Sequence, residues 1–273
     1  MNISQKIDCE YYYNNIKSNI KEYMKHWGTD KPMLLILAIG DDKASKSYLK
    51  GNIRDCDELN IDVRYKNIEG NKDTYQVMSD IQRFIRELSP DGVILQLPIP
   101  DYLDEKLIKS MIPEGLDIDG LNPNSRFRPC TAAGIMNLLA YNKINIEGKH
   151  VVIINRSSLI GKPLMNMMLD NNATVTICHS KTDSLSTITK VADIIVSATG
   201  QASLIKPDMI KPDSILIDAG ISVDANGLVC GDISKECHQY CKAYTTVPNG
   251  IGLVTRATLL KNIMSVYTSK RFN

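Results

Sequence analysis

The sequence predicts an α/β protein built on parallel sheets. Short apolar runs of strand length alternate with helical stretches of ten or more residues, and glycine or proline marks the turns between them. In the first half the strand runs fall at residues 33–39, 61–68 and 92–98. Helical spacing of apolar positions occupies 1–27, 44–59 and 73–88, the last with Val77, Ile81, Phe84 and Ile85 on one face. The second half repeats the alternation, with strands at 151–154, 173–178, 192–198 and 214–220. A helix around residues 134–141 crosses between the halves. A last helix, 257–268, follows a glycine-rich loop and is expected to return to the first half.

A chain of 273 residues can hold one large domain or two of ordinary size, and its 43% hydrophobic share is ample for packed cores. The formal net charge of +1, from 32 basic and 31 acidic residues, gives no bulk attraction to nucleic acid or to an anionic membrane. The run 33–39 is too short to span a bilayer, and the first residues lack the apolar core and cleavage site of a signal peptide. Seven cysteines without paired spacing suit a reducing compartment. These features read as a cytoplasmic protein with no nucleic-acid or membrane partner.

Chemistry concentrates where strands end. The run 151–154 leads into Asn155-Arg156-Ser157-Ser158-Leu159-Ile160-Gly161-Lys162-Pro163 and a Met/Leu-rich helix. A strand, a polar loop and a helix start are the parts of a phosphate-binding unit, and Arg156 adds a guanidinium able to grip phosphate. The loop is not the usual G-x-G-x-x-G. After the next strand come Cys178-His179-Ser180-Lys181-Thr182, with no acid before Asp183. NAD enzymes carry an acidic residue at that strand end, so a donor-rich end favours a 2′-phosphate and hence NADP. Cys230, Cys237, His238 and Cys241 lack a C-x-x-C pair, and Asp117 with Asp119 lacks a third ligand; no metal site is expected.

Taken together these segments resemble the bifunctional methylenetetrahydrofolate dehydrogenase/cyclohydrolase family, nearly from end to end. The resemblance is carried by Gly40-Asp41-Asp42-Lys43-Ala44-Ser45 with Tyr48 and Cys56, Leu95-Gln96-Leu97-Pro98-Ile99-Pro100, and Asp117-Ile118-Asp119-Gly120. It continues through Pro129-Cys130-Thr131, Arg156-Ser157, Ile160-Gly161-Lys162-Pro163, Ala173-Thr174-Val175-Thr176, His179-Ser180 and Val247-Pro248-Asn249-Gly250-Ile251-Gly252. It implies two domains: an N-terminal α/β folate domain, residues 1–133 plus 256–273, and a Rossmann-like NADP-binding domain with a parallel sheet, residues 134–255. It also implies a homodimer. The implied reaction is hydride transfer from the methylene carbon of 5,10-methylenetetrahydrofolate to NADP⁺, followed by water opening the methenyl product to 10-formyltetrahydrofolate. By position, Tyr48, Asn52, Gln96 and Asp119 fall at the family's catalytic residues. Asn155, Arg156, Ser157, Ser180 and Ile221 fall at its nucleotide contacts.

The match breaks at the base. The family places a lysine four residues after the tyrosine, and this chain has Asn52 there. An amide has no useful basicity near neutral pH and no charge. Lys46 and Lys50 lie two residues on either side of Tyr48, off its helical face. Milder departures are Asn155 for a glycine, Ala132 for a proline, Leu116 for a lysine, Asn249 for a glycine, and Thr246 and Leu253 for prolines. Hydride transfer needs alignment of two ligands more than it needs a base, so dehydrogenation is expected to survive and hydrolysis to be weak or lost. A catalytically silent folate- or nucleotide-binding homologue is the alternative.

Overall fold

The computed structural model describes residues 4–27, 30–40, 46–224 and 226–272, the side chains of residues 27, 46–48 and 272 excepted. In chain order the first elements are β1 (Gln5–Lys6), α1 (Cys9–Met24), β2 (Met33–Ile39), α2 (Lys46–Glu58), β3 (Asp62–Ile68), α3 (Thr74–Leu88), β4 (Gly92–Leu95) and α4 (Glu105–Ser110). Next come α5 (Cys130–Tyr141), β5 (His150–Ile154), α6 (Gly161–Leu169), β6 (Thr174–Cys178), α7 (Leu185–Thr189), β7 (Ile194–Ser197) and β8 (Ile215–Asp218). The chain closes with β9 (Ser222–Val223), β10 (Val229–Cys230), β11 (Ala243–Tyr244) and α8 (Ile251–Phe272).

These elements divide into two compact units. One comprises residues 15–130 and 258–273, the other residues up to Asn14 and 131–257. In the first, β3, β2 and β4 form a parallel sheet with β2 in the centre. Central parallel strands are covered on both faces, which is why β2 reads as an unbroken apolar run and Leu34 to Leu37 are fully buried. The core joins Leu34, Ile36 and Ile94 to Leu259, Ile263 and Tyr267 of α8. The expected return of the last helix is therefore observed, although α8 starts earlier than the predicted residue 257. Helix α3 starts on a capping box. The Asp73 carboxylate accepts from Gln76 N at 2.9 Å, and the Gln76 side chain accepts from Asp73 N at 3.1 Å.

The second unit holds a six-stranded parallel sheet in the order β1-β11-β8-β7-β5-β6. From β5 the chain steps outward to β6, then crosses back to place β7 on the other side of β5. Strand order reverses there, and the carboxyl ends of β5 and β7 part into the crevice where open α/β sheets take their ligands. The observed units differ in extent from the folate domain expected over residues 1–133 plus 256–273. Residues up to Asn14 group with the second unit because Gln5–Lys6 pair in parallel with Ala243–Tyr244. A two-residue strand is too short to leave a period-2 pattern, so its edge position was not legible.

Candidate active site

In the first unit the candidate residues gather by topology at the carboxyl edge of the β3-β2-β4 sheet. Gln96 directly follows β4, with its N–H on Leu37 O at 2.7 Å. The segment carrying Asp117 and Asp119 runs beside β4 through a parallel bridge between Val93 and Asp117. Helix α2 leaves the same edge after β2, carrying Tyr48 and, one turn later, Asn52. Asn52 is 3% exposed. The Tyr48 side chain and residues 41–45 lie outside the described residues. Lys50 is exposed. The amine of Lys17 is engaged with Asp55, at 3.3 Å, and with Glu58 at 2.5 Å.

Gln96 is half satisfied. Its Nε2 donates to Leu97 O at 3.2 Å, while its Oε1 is buried with no partner among the described residues. A buried acceptor left so is unfavourable by about 1–3 kcal/mol, which a ligand N–H placed against it would recover. Burial pushes the Asp119 carboxyl up to about 6, and the neighbouring Asp117 charge adds to the rise. Asp117, fully buried, is likewise raised by burial, against the lowering effect of hydrogen bonds such as Asn122 N to Oδ2 at 2.7 Å. Asn262 of α8 fixes this segment by donating to Ile118 O at 2.8 Å. Burial holds the Cys130 thiol well above its ordinary range, which makes it a packing group rather than a nucleophile.

The second unit shows how the predicted nucleotide loop is built. Asn155, just past β5, accepts three hydrogen bonds on Oδ1: Ser157 N at 2.8 Å, Ser157 Oγ at 2.7 Å and Gly161 N at 3.0 Å. Its Nδ2 donates to Ala198 O, just past β7, at 2.6 Å. The loop is tight enough that a Cβ on Gly161 would stand 2.0 Å from Asn155 O. Arg156 and Ser180 are exposed, at the ends of β5 and β6 respectively. His179 N donates to Thr182 Oγ1 at 2.9 Å, so the β6 end is a closed turn of neutral and basic groups. Ile221 is 66% exposed. No group of three or more His, Cys, Asp or Glu residues suited to a metal occurs among the described residues.

Two residues that sequence reasoning missed organise the ends of β7 and β8. Asp218 accepts from Gly220 N at 3.0 Å, Asp232 N at 3.1 Å and Ile233 N at 2.8 Å. Asp232, fully buried, accepts from Ser197 Oγ at 2.7 Å, Thr199 N at 2.6 Å, Thr199 Oγ1 at 2.9 Å and Gln201 N at 3.0 Å. Each carboxylate occupies space left by a glycine. A Cβ on Gly220 would meet Asp232 Oδ1 at 1.9 Å, and one on Gly231 would meet Asp218 Oδ2 at 2.1 Å. The available signal was an aspartate and a glycine closing an apolar strand, repeated as Gly231-Asp232. Burial raises the Asp218 carboxyl to about 6.

The reversed strand order, the strand–loop–helix unit and the acid-free end of β6 define the second unit as a dinucleotide-binding α/β domain. Comparison with known proteins agrees. Residues 129–271 match the model of the tetrahydrofolate dehydrogenase/cyclohydrolase NAD(P)-binding domain, and residues 7–119 match that of its catalytic domain. The chain belongs to the tetrahydrofolate dehydrogenase/cyclohydrolase family. It is 39% identical over 277 residues to the bifunctional protein FolD of Malacoplasma penetrans, a match spanning 97% of this chain and 98% of that protein. It is similar to the crystal structure of the bifunctional FolD methylenetetrahydrofolate dehydrogenase/cyclohydrolase from Campylobacter jejuni. That match has a TM-score of 0.92 at 32% identity and covers 98% of this chain and 99% of the other. The Trypanosoma brucei enzyme, solved with NADP cofactor and an inhibitor, gives 0.92 at 26% identity with full coverage of both chains.

Proposed function

We propose that this protein oxidises 5,10-methylenetetrahydrofolate to 5,10-methenyltetrahydrofolate with NADP⁺, and that its hydrolysis of the product to 10-formyltetrahydrofolate is weak or absent. The observation that carries the second clause is Asn52, a neutral, buried side chain one helical turn after Tyr48. When bound, NADP⁺ supplies the hydride acceptor. The exposed Arg156 guanidinium and the donors at the end of β6 suit its phosphates. On the folate side, Gln96 Oε1 and the Asp119 carboxylate supply acceptors for pterin N–H groups. Neither needs to move a proton for the hydride to pass. Purified protein given methylenetetrahydrofolate and NADP⁺ tests the reading: saturable formation of NADPH supports it, and none at any protein concentration refutes it.

The Asp119 reading carries a pH dependence. Below about 6 the folded carboxyl is protonated and presents one acceptor fewer. Affinity for an unreactive analogue, 5-formyltetrahydrofolate, should therefore rise as pH rises through about 6, and Asp119→Asn should remove the inflection. Folding responds with the opposite sign. An unfolded aspartate titrates near about 3.9, so the folded form holds the extra proton between there and about 6. The associated stability is full at acid pH and is lost as pH rises through that window. A binding profile flat from pH 5 to 7 would separate Asp119 from the folate.

The reading extends to a cytoplasmic homodimer. All seven cysteines are free, as a reducing compartment would leave them. No helix among the described residues is long and apolar enough to cross a membrane. The β9–β10 hairpin exposes Val223 (61%), Leu228 (64%) and Val229 (48%), and Val223 pairs directly with Val229. Such a patch suits burial against a second copy. Sedimentation should find a dimer that Leu228→Asp with Val229→Asp converts to monomer. A monomeric parent protein, or a dimer indifferent to both changes, contradicts this.

A further inference from the structure

Asn155 stands where the order of the second sheet reverses, and its side chain spans the carboxyl ends of β5 and β7. Its amide can be oriented only one way: Nδ2 faces the Ala198 carbonyl and Oδ1 faces the N–H groups of Ser157 and Gly161. The Ser157 hydroxyl then spends its single proton on the same Oδ1 and accepts from Ile160 N at 3.1 Å. Two backbone N–H groups and one hydroxyl proton, the donors an anion at the start of α6 would ordinarily meet, all converge on one neutral oxygen of the chain itself.

We propose that Asn155 is a positioning residue of the nucleotide loop, whose amide oxygen takes the place a phosphate oxygen would occupy and leaves the grip on the nucleotide to Arg156. This deepens the reading of the loop as an NADP site and rests on it. The arrangement has two consequences of opposite sign. Internal satisfaction rigidifies the loop and ties β5 to β7, so the protein gains stability. The donors it consumes are withheld from the ligand, so affinity is lower than the same backbone would allow. A side chain that merely touched the nucleotide, or merely held the fold, would not separate stability from affinity in this way.

Titration of NADP⁺ and NAD⁺ into the full chain, followed by calorimetry, tests it. Asn155→Gly should bind at least one nucleotide roughly ten- to a hundredfold more tightly, the gain expected from one freed hydrogen bond to a charged group, while its Tm falls. Adding Ser157→Ala to that variant should reverse most of the gain. Tightening of both nucleotides places the freed donors at the shared pyrophosphate; tightening of NADP⁺ alone places them at the 2′-phosphate. Asn155→Ser, too short to reach all three donors, guards against a glycine variant that does not fold and should shift affinity the same way. A folded variant that binds with unchanged or weaker affinity overturns the proposal. If the parent protein binds neither nucleotide, the functional reading fails first.

Discussion

Asn52→Lys should raise protein-dependent hydrolysis of methenyltetrahydrofolate by about 10²–10⁴-fold, the usual worth of a positioned proton-transfer group. Opening the methenyl bridge needs water to lose a proton as it adds to the carbon. The carboxamide at residue 52 cannot take that proton. Residue 52 lies on α2 one turn after Tyr48, and its 3% exposure means that a lysine amine there would be held out of bulk water. Partial burial lowers an ammonium's pKa towards the working range of a general base. Lys50 faces solvent and Lys17 is tied to Asp55 and Glu58, so neither stands in. Asn52→Gln, neutral and longer, is the control and should leave hydrolysis at the buffer rate. Dehydrogenation should change much less in either variant. A correctly folded lysine variant with no more hydrolysis than its parent would show that the missing base is not what limits the reaction.

Asp232→Ala should lower stability by about 3–5 kcal/mol, because several buried donors lose their acceptor at once and each unmade bond is unfavourable by about 1–3 kcal/mol. Ser197 Oγ, Thr199 N, Thr199 Oγ1 and Gln201 N all converge on this carboxylate. Water entering the space would recover part of the loss, which sets the upper end. The damage should spread to nucleotide binding, since Ser197 ends β7 beside the crevice. Urea titrations of parent and variant, compared at a common m-value, measure it. A loss under about 1 kcal/mol would mean the donors find other partners readily and the Asp218–Asp232 pair does not organise the strand ends.

The long apolar runs were legible because burial on both faces leaves no alternation to misread. Residues 33–39 and 151–154 became β2 and β5 with the predicted bounds kept to within a residue. The short elements were not: β1, β9, β10 and β11 are two residues each, and the pairing of β1 and β11 is decided by partners distant in sequence. Among the proposed site residues, Gln96 stood out as a polar group on an apolar strand, whereas Asp119, in a turn-like segment, was singled out by the family resemblance. The Asp218–Asp232 pair was hidden because neither carboxylate means anything without the glycine opposite it. For Asn155 the sequence shows a departure from a glycine at a nucleotide contact, and only the geometry shows its amide holding the loop together.

The most direct measurement follows both products of one reaction. With methylenetetrahydrofolate and excess NADP⁺, the account expects NADPH and the methenyl chromophore to rise together in equal amounts. 10-Formyltetrahydrofolate should then appear only at the rate seen without protein. NADPH accompanied by prompt, protein-dependent 10-formyltetrahydrofolate would contradict it.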